Sequence, residues 1–396
     1  MKNAVPKHWQ KIKVKYLVSM QSGNAIESEA IAPVGEYPVY GGNGLRGYTN
    51  EFTHEGEHIL IGRQGALCGN VNYASGKFWA TEHAIVATPR AEFNTHWLGE
   101  TLSAMNLNQY SQSAAQPGIA VEVIANLEIA VPSIAEQRII ALKLTKETDR
   151  IDLLIEEKKR LIVLLGEKRR ALIARAITQG LNRGAHRRDS GIVWLGEIPK
   201  NWKIERAKWL FTERDIRSDT GEEELLSVSH LTGVTSRAEK NVNMFMAESM
   251  EGYKRCEAGD LVINTLWAWM GAMGVARQPG IVSPAYNVYQ PVPELDPEYV
   301  DLLVRTPRFA EEITRYSKGV WSSRMRLYPE GLYEAWLPVP PKDEQQAITA
   351  HIQAETKKID DFAKATERTI ALLQERRSAL ISAAVTGQLE IRGTLA

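Results

Sequence analysis

A chain of 396 residues, 44% hydrophobic and 24% charged, has the length for two or three domains and enough apolar content to build their cores, so disorder is excluded as the default. Its 48 basic residues balance 48 acidic ones, which argues against a protein that coats nucleic acid by bulk charge and leaves room only for a local basic patch.

The two cysteines, Cys68 and Cys256, lie far apart with no Cys or His in metal-ligand spacing. Neither a disulfide framework nor a zinc site is expected, which fits a reducing compartment. The opening MKNAVPKHWQKIKVKYL lacks the apolar core of a signal peptide, and no run approaches the ~20 apolar residues of a membrane helix. The expectation is a soluble cytoplasmic protein without a membrane partner.

Residues 1–134 are dense in turn signals: Pro38, YGGNGLRGY from Tyr40 to Tyr48, then Gly56, Gly62, Gly65, Gly69 and Gly76. Between them sit short β-favouring runs, His58–Ile61 and His83–Thr88. Short strands with glycine-rich turns predict a mixed domain with a curved, mainly antiparallel sheet, and a short helix is expected near Trp97 to Tyr110. Residues 135–182 change character: apolar residues recur at steps of three and four at Ile140, Leu144, Ile151, Leu154, Leu161, Leu165, Leu172 and Ala176. This predicts a long helix, with Gly166 as a potential kink. The polar stretch 183–195 reads as a linker. Residues 196–342 form a second globular block, 343–390 a second long helix, and 391–396 a tail.

The second half repeats the first. From Val131 and Val339, 208 positions apart, 21 of 51 positions are identical without a gap. Ile348, Ile352, Ile359, Phe362, Leu373, Leu380 and Ala384 carry the second apolar stripe. Pro6, Lys7 and Trp9 are echoed by Pro199, Lys200 and Trp202, Lys15, Tyr16 and Leu17 by Lys208, Trp209 and Leu210, and His54–Ile61 by Glu257–Ile263, past which the globular blocks diverge. The helices have kept their sequence while the blocks drifted, so the helices share one task and the blocks have two different ones. A stripe this long cannot bury itself alone, and its own repeat is the economical partner in an antiparallel coiled coil. Two ordinary helices in separate domains are the alternative.

No catalytic signature is present. There is no Asn/Asp-Pro-Pro-aromatic motif (Pro340-Pro341 is followed by Lys342), no phosphate loop and no HExxH. The charge is uneven, with 14 basic and 8 acidic residues from Ala135 to Ser190 against 9 and 11 from Met1 to Ile134. The cluster Lys168, Arg169, Arg170, Arg175, Arg183, Arg187 and Arg188 either tracks phosphates or is a solvated face or a partner surface.

The helix openings VPSIAEQ (Val131–Gln137) and VPPKDEQ (Val339–Gln345), the segment DSGIVWLGEIPKNW (Asp189–Trp202), the helix ends RRALI and RSALI, and YGGNGLRGY with IGRQGA (Ile61–Ala66) together resemble the specificity subunit of type I restriction-modification systems, over essentially the full length. The resemblance implies an α+β fold: two target-recognition domains, 1–134 and 196–342, separated by two long helices packed as an antiparallel coiled coil, the whole a pseudo-two-fold repeat. It implies a non-catalytic subunit that reads a bipartite, asymmetric site on double-stranded DNA, one half per domain. Its expected partners are two modification (methyltransferase) subunits and motor-nuclease restriction subunits. No cofactor is expected on this chain; S-adenosylmethionine would sit in the methyltransferase, and ATP and Mg in the motor-nuclease. A coiled-coil adaptor that binds proteins rather than DNA is the rival.

On that resemblance, DNA contacts are expected on glycine-rich turns, where backbone can approach closely and Arg, Asn or Gln can pair with base edges. In the first domain these are Tyr40, Gly42, Asn43, Arg46 and Tyr48, then Arg63 and Gln64, then Gln116 in SAAQPG. In the second they are Asn264 and Trp267 in INTLWAW, then Lys318, Trp321, Ser322, Ser323, Arg324 and Arg326. Trp267 and Trp269 are read as alternating on a strand, with one facing the core. Ser227–His230 is a weaker candidate, as readily a buried strand.

Overall fold

The computed structural model describes residues 5–111, 117–239, 249–319 and 325–389. It divides into two compact units. One contains residues 1–159 and 367–396, the other residues 160–366. Both long helices are therefore shared between units, and each unit combines a globular domain with the start of one helix and the finish of the other.

In the first unit, strand Gln10–Lys13 pairs antiparallel with Glu128–Val131, Gln10 opposite Val131. That ladder leads directly into the first long helix, Ile134–Gln179. A four-stranded antiparallel sheet runs in the order Val18–Ser22, Ala84–Pro89, His58–Gly62, Val71–Ala74. A second sheet contains the hairpin Tyr37–Gly41/Gly44–Thr49 and one parallel pairing, of Tyr37–Gly41 with Lys77–Ala80. The expected helix is present as Thr95–Ala104, followed by a 3-10 turn at Leu107–Tyr110. Asn94 caps it, its side chain accepting from the Trp97 amide.

The second unit rebuilds the same frame. Lys203–Arg206 pairs with Trp336–Val339, Lys203 opposite Val339, and leads into the second long helix, Lys342–Val385. Its four-stranded sheet, Phe211–Glu213, Tyr286–Pro291, Leu261–Asn264, Met273–Val275, has the same connectivity as the first unit's. Asp296 caps helix Pro297–Val304, as Asn94 does its counterpart. Arg187–Asp189, in the stretch read as a linker, pairs with Glu197–Pro199, and Ser227 and Val228 lie on the strand Leu226–Ser229.

Within each unit the helices pack antiparallel. In the first, Ile140, Ala141 and Leu144 from the start of one helix share a core with Ile381, Ala384 and Val385 from the finish of the other, beneath Ile59, Ile85, Trp97 and Leu98. In the second, Ala176 and Ile177 meet Ile348 and Ile352 beneath Leu261, Tyr289 and Tyr299. Asp152 pairs with Arg377 at 2.9 Å in the first unit, and Asp360 with Arg169 at 3.4 Å in the second. Asp360 lies 208 positions after Asp152 and Arg377 208 positions after Arg169, so one ion pair is written twice, as the internal repeat requires. The first helix is unbroken through Gly166, so that glycine marks no break. The stripe needs one correction: Leu154 and Phe362, equivalent positions, are 46% and 53% exposed. A step of four from Ile151 reaches the buried Ile155, whereas the step of three reaches Leu154 on the outer side.

A buried glutamine locks each helix to its domain. Gln137 Oε1 accepts from the Asn94 amide at 2.8 Å, and its Nε2 donates to Pro132 O at 3.0 Å. Gln345, fully buried, repeats this with the Asp296 amide at 2.8 Å and Pro340 O at 2.9 Å, and adds Glu294 O at 3.1 Å. Removing such a side chain strands buried backbone groups, which costs about 1–3 kcal/mol. Gln345→Ala should therefore destabilise the second unit by about 2–4 kcal/mol once the lost packing is included. Asp360→Asn, which touches only an exposed ion pair, should cost under about 1 kcal/mol. Thermal or urea unfolding of the full chain checks both; equal shifts would remove the distinction.

Candidate nucleic-acid interface

Three of the glycine-rich stretches singled out in the first domain converge on one rim. The tip of the hairpin is Gly42-Asn43, and Gly44 follows at a φ of 94°, in the left-handed region that glycine adopts without strain. Asn43 Oδ1 accepts from Asn70 Nδ2 at 3.0 Å. The IGRQGA turn lies alongside: Arg63 N donates to His83 O at 2.8 Å, and Gly65 N to Pro117 O at 2.9 Å. Ile119 N donates to Arg63 O at 3.0 Å, which fixes the third stretch against the second. Gln64 and His83 meet through Oε1 and Nδ1 at 3.1 Å, while His83 Nε2 faces Glu82 at 3.2 Å. Asn43, Gln64 and Asn70 are exposed and His83 half-buried. The rim thus presents amides and an imidazole, the groups that pair with base edges.

Other predicted residues have different surroundings. Tyr40 is half-buried with its ring edge-on to Phe78, centroids 5.8 Å apart, so it supports the hairpin from below. Tyr48 is half-buried on its strand, its backbone paired both ways with Ala32. Arg46 is exposed, with its aliphatic stem over Gly41. Gln116 lies outside the described residues. Asn70 and His83 were not anticipated. Each follows a glycine or a strand end without a motif of its own, and only the closing of the loops brings them to Asn43 and Gln64.

The second domain builds its rim on the same frame with different chemistry. Leu327 N donates to Thr265 O at 3.0 Å, matching Ile119 N to Arg63 O, with residues 119 and 327 again 208 apart. Thr265 Oγ1 donates to Ala285 O at 2.8 Å. Asn264 is committed internally: it is 8% exposed, and its Nδ2 donates to the Tyr286 hydroxyl at 3.0 Å. Burial raises the Tyr286 pKa, with Arg237 opposing, so the hydroxyl keeps its proton. The strand reading of Trp267 and Trp269 is corrected. The strand ends at Asn264, and a 3-10 turn over Ala268–Met270 closes on Gly271 at a φ of 86°. Trp267 is 50% exposed, Ala268 is the residue that turns inward, and Trp269 Nε1 donates back to Leu266 O at 3.0 Å. Lys318 and Arg326 pair through their backbones at 2.9 Å in both directions. Trp321, Ser322, Ser323 and Arg324 lie outside the described residues. The second rim therefore offers Leu266 and Trp267 as apolar surface and Lys318 and Arg326 as cations.

Neither cysteine is suited to reaction: both are buried, and burial, with Asp260 adding, pushes the Cys256 thiol up to about 12. Among the described residues no group of three or more His, Cys, Asp or Glu side chains could hold a metal ion, and no helix is long and apolar enough to cross a membrane.

The profile of the type I restriction modification DNA specificity domain matches residues 6–162. The chain is 48% identical over 134 residues to the Escherichia coli type I restriction enzyme EcoprrI specificity subunit, a stretch covering 33% of each protein. The match thus spans about a third of that relative's length. Among solved structures, a chain from work on complex assembly and conformational transition of the type I R-M system is similar at a TM-score of 0.69 and 15% identity, covering 97% of this chain and 99% of that one. The HsdS subunit of Thermoanaerobacter tengcongensis is similar at 0.54 and 15%, covering 97% and 98%. At such identities the likeness is one of fold.

The first rim depends on two backbones in contact. A Cβ on Gly62 would overlap the carbonyl oxygen of Gly42 and crowd that of Leu67. Gly62→Ala should force the hairpin tip away from the IGRQGA turn at a cost of about 1–3 kcal/mol. Hydrogen exchange should quicken at residues 41–46 and 62–70; an unchanged pattern would mean that the two turns are not wedged together.

Proposed function

We propose that this chain, whose residues 6–162 match the type I restriction modification DNA specificity domain, belongs to that specificity family and is the DNA-reading subunit of such a system. It recognises an asymmetric site in two parts, one half per globular domain, with an unread spacer between them. The observation that carries this reading is the pair of unlike rims on like frames. The same ladder, sheet and buried glutamine recur in both units, while one rim offers amides and the other tryptophan, leucine and cations. A duplicated scaffold with two different readers is what an asymmetric site demands, since direct readout depends on which donors and acceptors meet the base edges.

The chain itself catalyses nothing in this proposal. It positions two modification subunits, which bind S-adenosylmethionine and methylate one adenine in each half, and motor-nuclease subunits, which use ATP and Mg. Support for docked partners comes from apolar side chains on the outer faces of the helices: Leu142, Leu153, Leu154 and Leu372 in the first unit, Val163, Leu164 and Phe362 in the second, all 46–72% exposed. Exposed apolar groups gathered on regular helices mark surfaces that are covered in an assembly.

Mapping methylated adenines in cells with and without the gene should reveal a two-part motif that vanishes on deletion. Replacing residues 1–134 by the corresponding domain of another specificity subunit should change one half of that motif only; a change in both halves, or in neither, would count against the assignment. The two helices, in the same proposal, set the spacer. Adding one turn to each, about 5.4 Å, should lengthen the preferred spacer by about one to two base pairs at 3.4 Å each and leave both halves intact. A shifted half-site sequence would contradict it.

A further inference from the structure

The last third of the first long helix carries Lys168, Arg169, Arg170 and Arg175, and the chain beyond it Arg183. Arg169 is occupied by Asp360. Lys168, Arg175 and Arg183 have no carboxylate within ion-pair distance among the described residues, and all three are exposed. With His351 from the second helix they line a groove of about 390 Å³ whose apolar floor includes Leu172, Ala176 and Leu181. Lys168, Leu172 and Arg175 follow one another at steps of four and three, on one helix face. Two carboxylates stand near the groove, Glu344 beside Gly180 and Glu355 beside Lys168 and His351. Glu355 accepts from Lys358 at 2.6 Å, and that bond, with smaller help from His351 and Lys168, holds its carboxyl below the usual range. Glu344 accepts from Asn201 at 3.3 Å.

The internal repeat shows whether the fold needs these cations. At the positions 208 further on, Leu172 and Ala176 recur as Leu380 and Ala384, Thr178 and Leu181 as Thr386 and Leu389. Lys168 becomes Arg376, but Arg175 becomes Ala383, Arg183 becomes Ile391, and His351 corresponds to Lys143. The apolar residues that close the helix end are kept, and the arginines are not. A helix of the same build thus ends without them, so complementing the negative helix terminus does not account for their presence.

We propose that this groove binds backbone phosphates of duplex DNA beside the half-site read by the second domain, giving that half two arginine contacts for which the equivalent positions of the first unit have no counterpart. The inference rests on the DNA-reading function above. Guanidinium groups match phosphate oxygens in pairs, and a chain of zero net charge can draw on DNA only through a local set of cations such as this. An acidic protein segment is the competing occupant.

The test compares the full chain with its Lys168→Gln/Arg175→Gln/Arg183→Gln variant. Both are titrated by fluorescence anisotropy against a duplex bearing the mapped site and a scrambled duplex of equal length, between about 50 and 200 mM salt. Each lost phosphate contact removes about 0.9 from the slope of log K against log salt. The variant should lose about two to three from the slope on both duplexes and keep the wild-type ratio between them, with an unchanged thermal unfolding curve, as expected for exposed residues. An Arg175→Lys variant should retain most of the slope. A wild-type slope in the triple variant overturns the proposal, and if a partner subunit no longer co-purifies with that variant the groove belongs to a protein. Failure of the wild-type chain to bind either duplex would instead remove the recognition reading and the clamp with it.

Discussion

Everything in this molecule depends on an end-for-end sharing of helices: each globular domain is closed by the start of one long helix and the finish of the other. Ile140 and Leu144 bury against Ile381 and Ala384 in the first unit, and Ile348 and Ile352 against Ile177 in the second. Each fully buried aliphatic side chain of this kind contributes about 1.5–3 kcal/mol, so each domain takes part of its core from both helices. The first unit closes only when residues 367–396 return to residues 1–159. The second, contiguous over 160–366, needs no such return. Contacts over long sequence separation carry the larger loop-closure entropy, so closing the first unit carries the larger entropic cost.

Selection on such an arrangement falls unevenly. A substitution on the helix seam is felt by both helices, since an equivalent pair, Asp152 with Arg377 or Asp360 with Arg169, recurs at each end. The buried glutamines are constrained further, because Gln137 and Gln345 each satisfy a backbone group at a helix cap and one beside a strand end, and Gln345 also the carbonyl of Glu294. The rims carry no such load. Arg63 O and Thr265 O accept equivalent backbone bonds whatever side chains stand beside them. Gln64 on one frame and Leu266 on the other are therefore equally compatible with the fold, and the readers are free to differ.

The same division explains what could be read from the sequence. The helices, their antiparallel pairing and the duplication were legible because periodicity and the repeat are local or translational signals, and both survive in 21 of 51 positions. Leu154 and Phe362 were misassigned because a step of three and a step of four look alike in a pattern, and only packing chooses between Leu154 and Ile155. At the rims the glycines announced where loops would approach, but not which side chains would arrive. The bond of Asn43 to Asn70 and that of Gln64 to His83 join residues 27 and 19 positions apart that share no motif. Trp267 and Trp269 alternate in sequence as strand residues do, yet the left-handed Gly271 ends the run in a 3-10 turn and sends Ala268 inward instead.

Charge follows the same logic of fixed frame and free periphery. Some cations of the long helices have a carboxylate partner, Arg169 with Asp360, Arg377 with Asp152, Lys357 with Asp361 and Lys358 with Glu355. Exposed pairs of this kind contribute little to stability, but each takes one cation out of the set open to a polyanion. A cation without such a partner acts on its surroundings within a Debye length of about 8–10 Å. Specific binding then becomes a matter of position: three unmatched cations beside one domain bias where a phosphate chain rests, whereas the same three spread over a uniformly basic surface would bias nothing. Neutrality of the whole chain is thus a condition for site selection by a few groups.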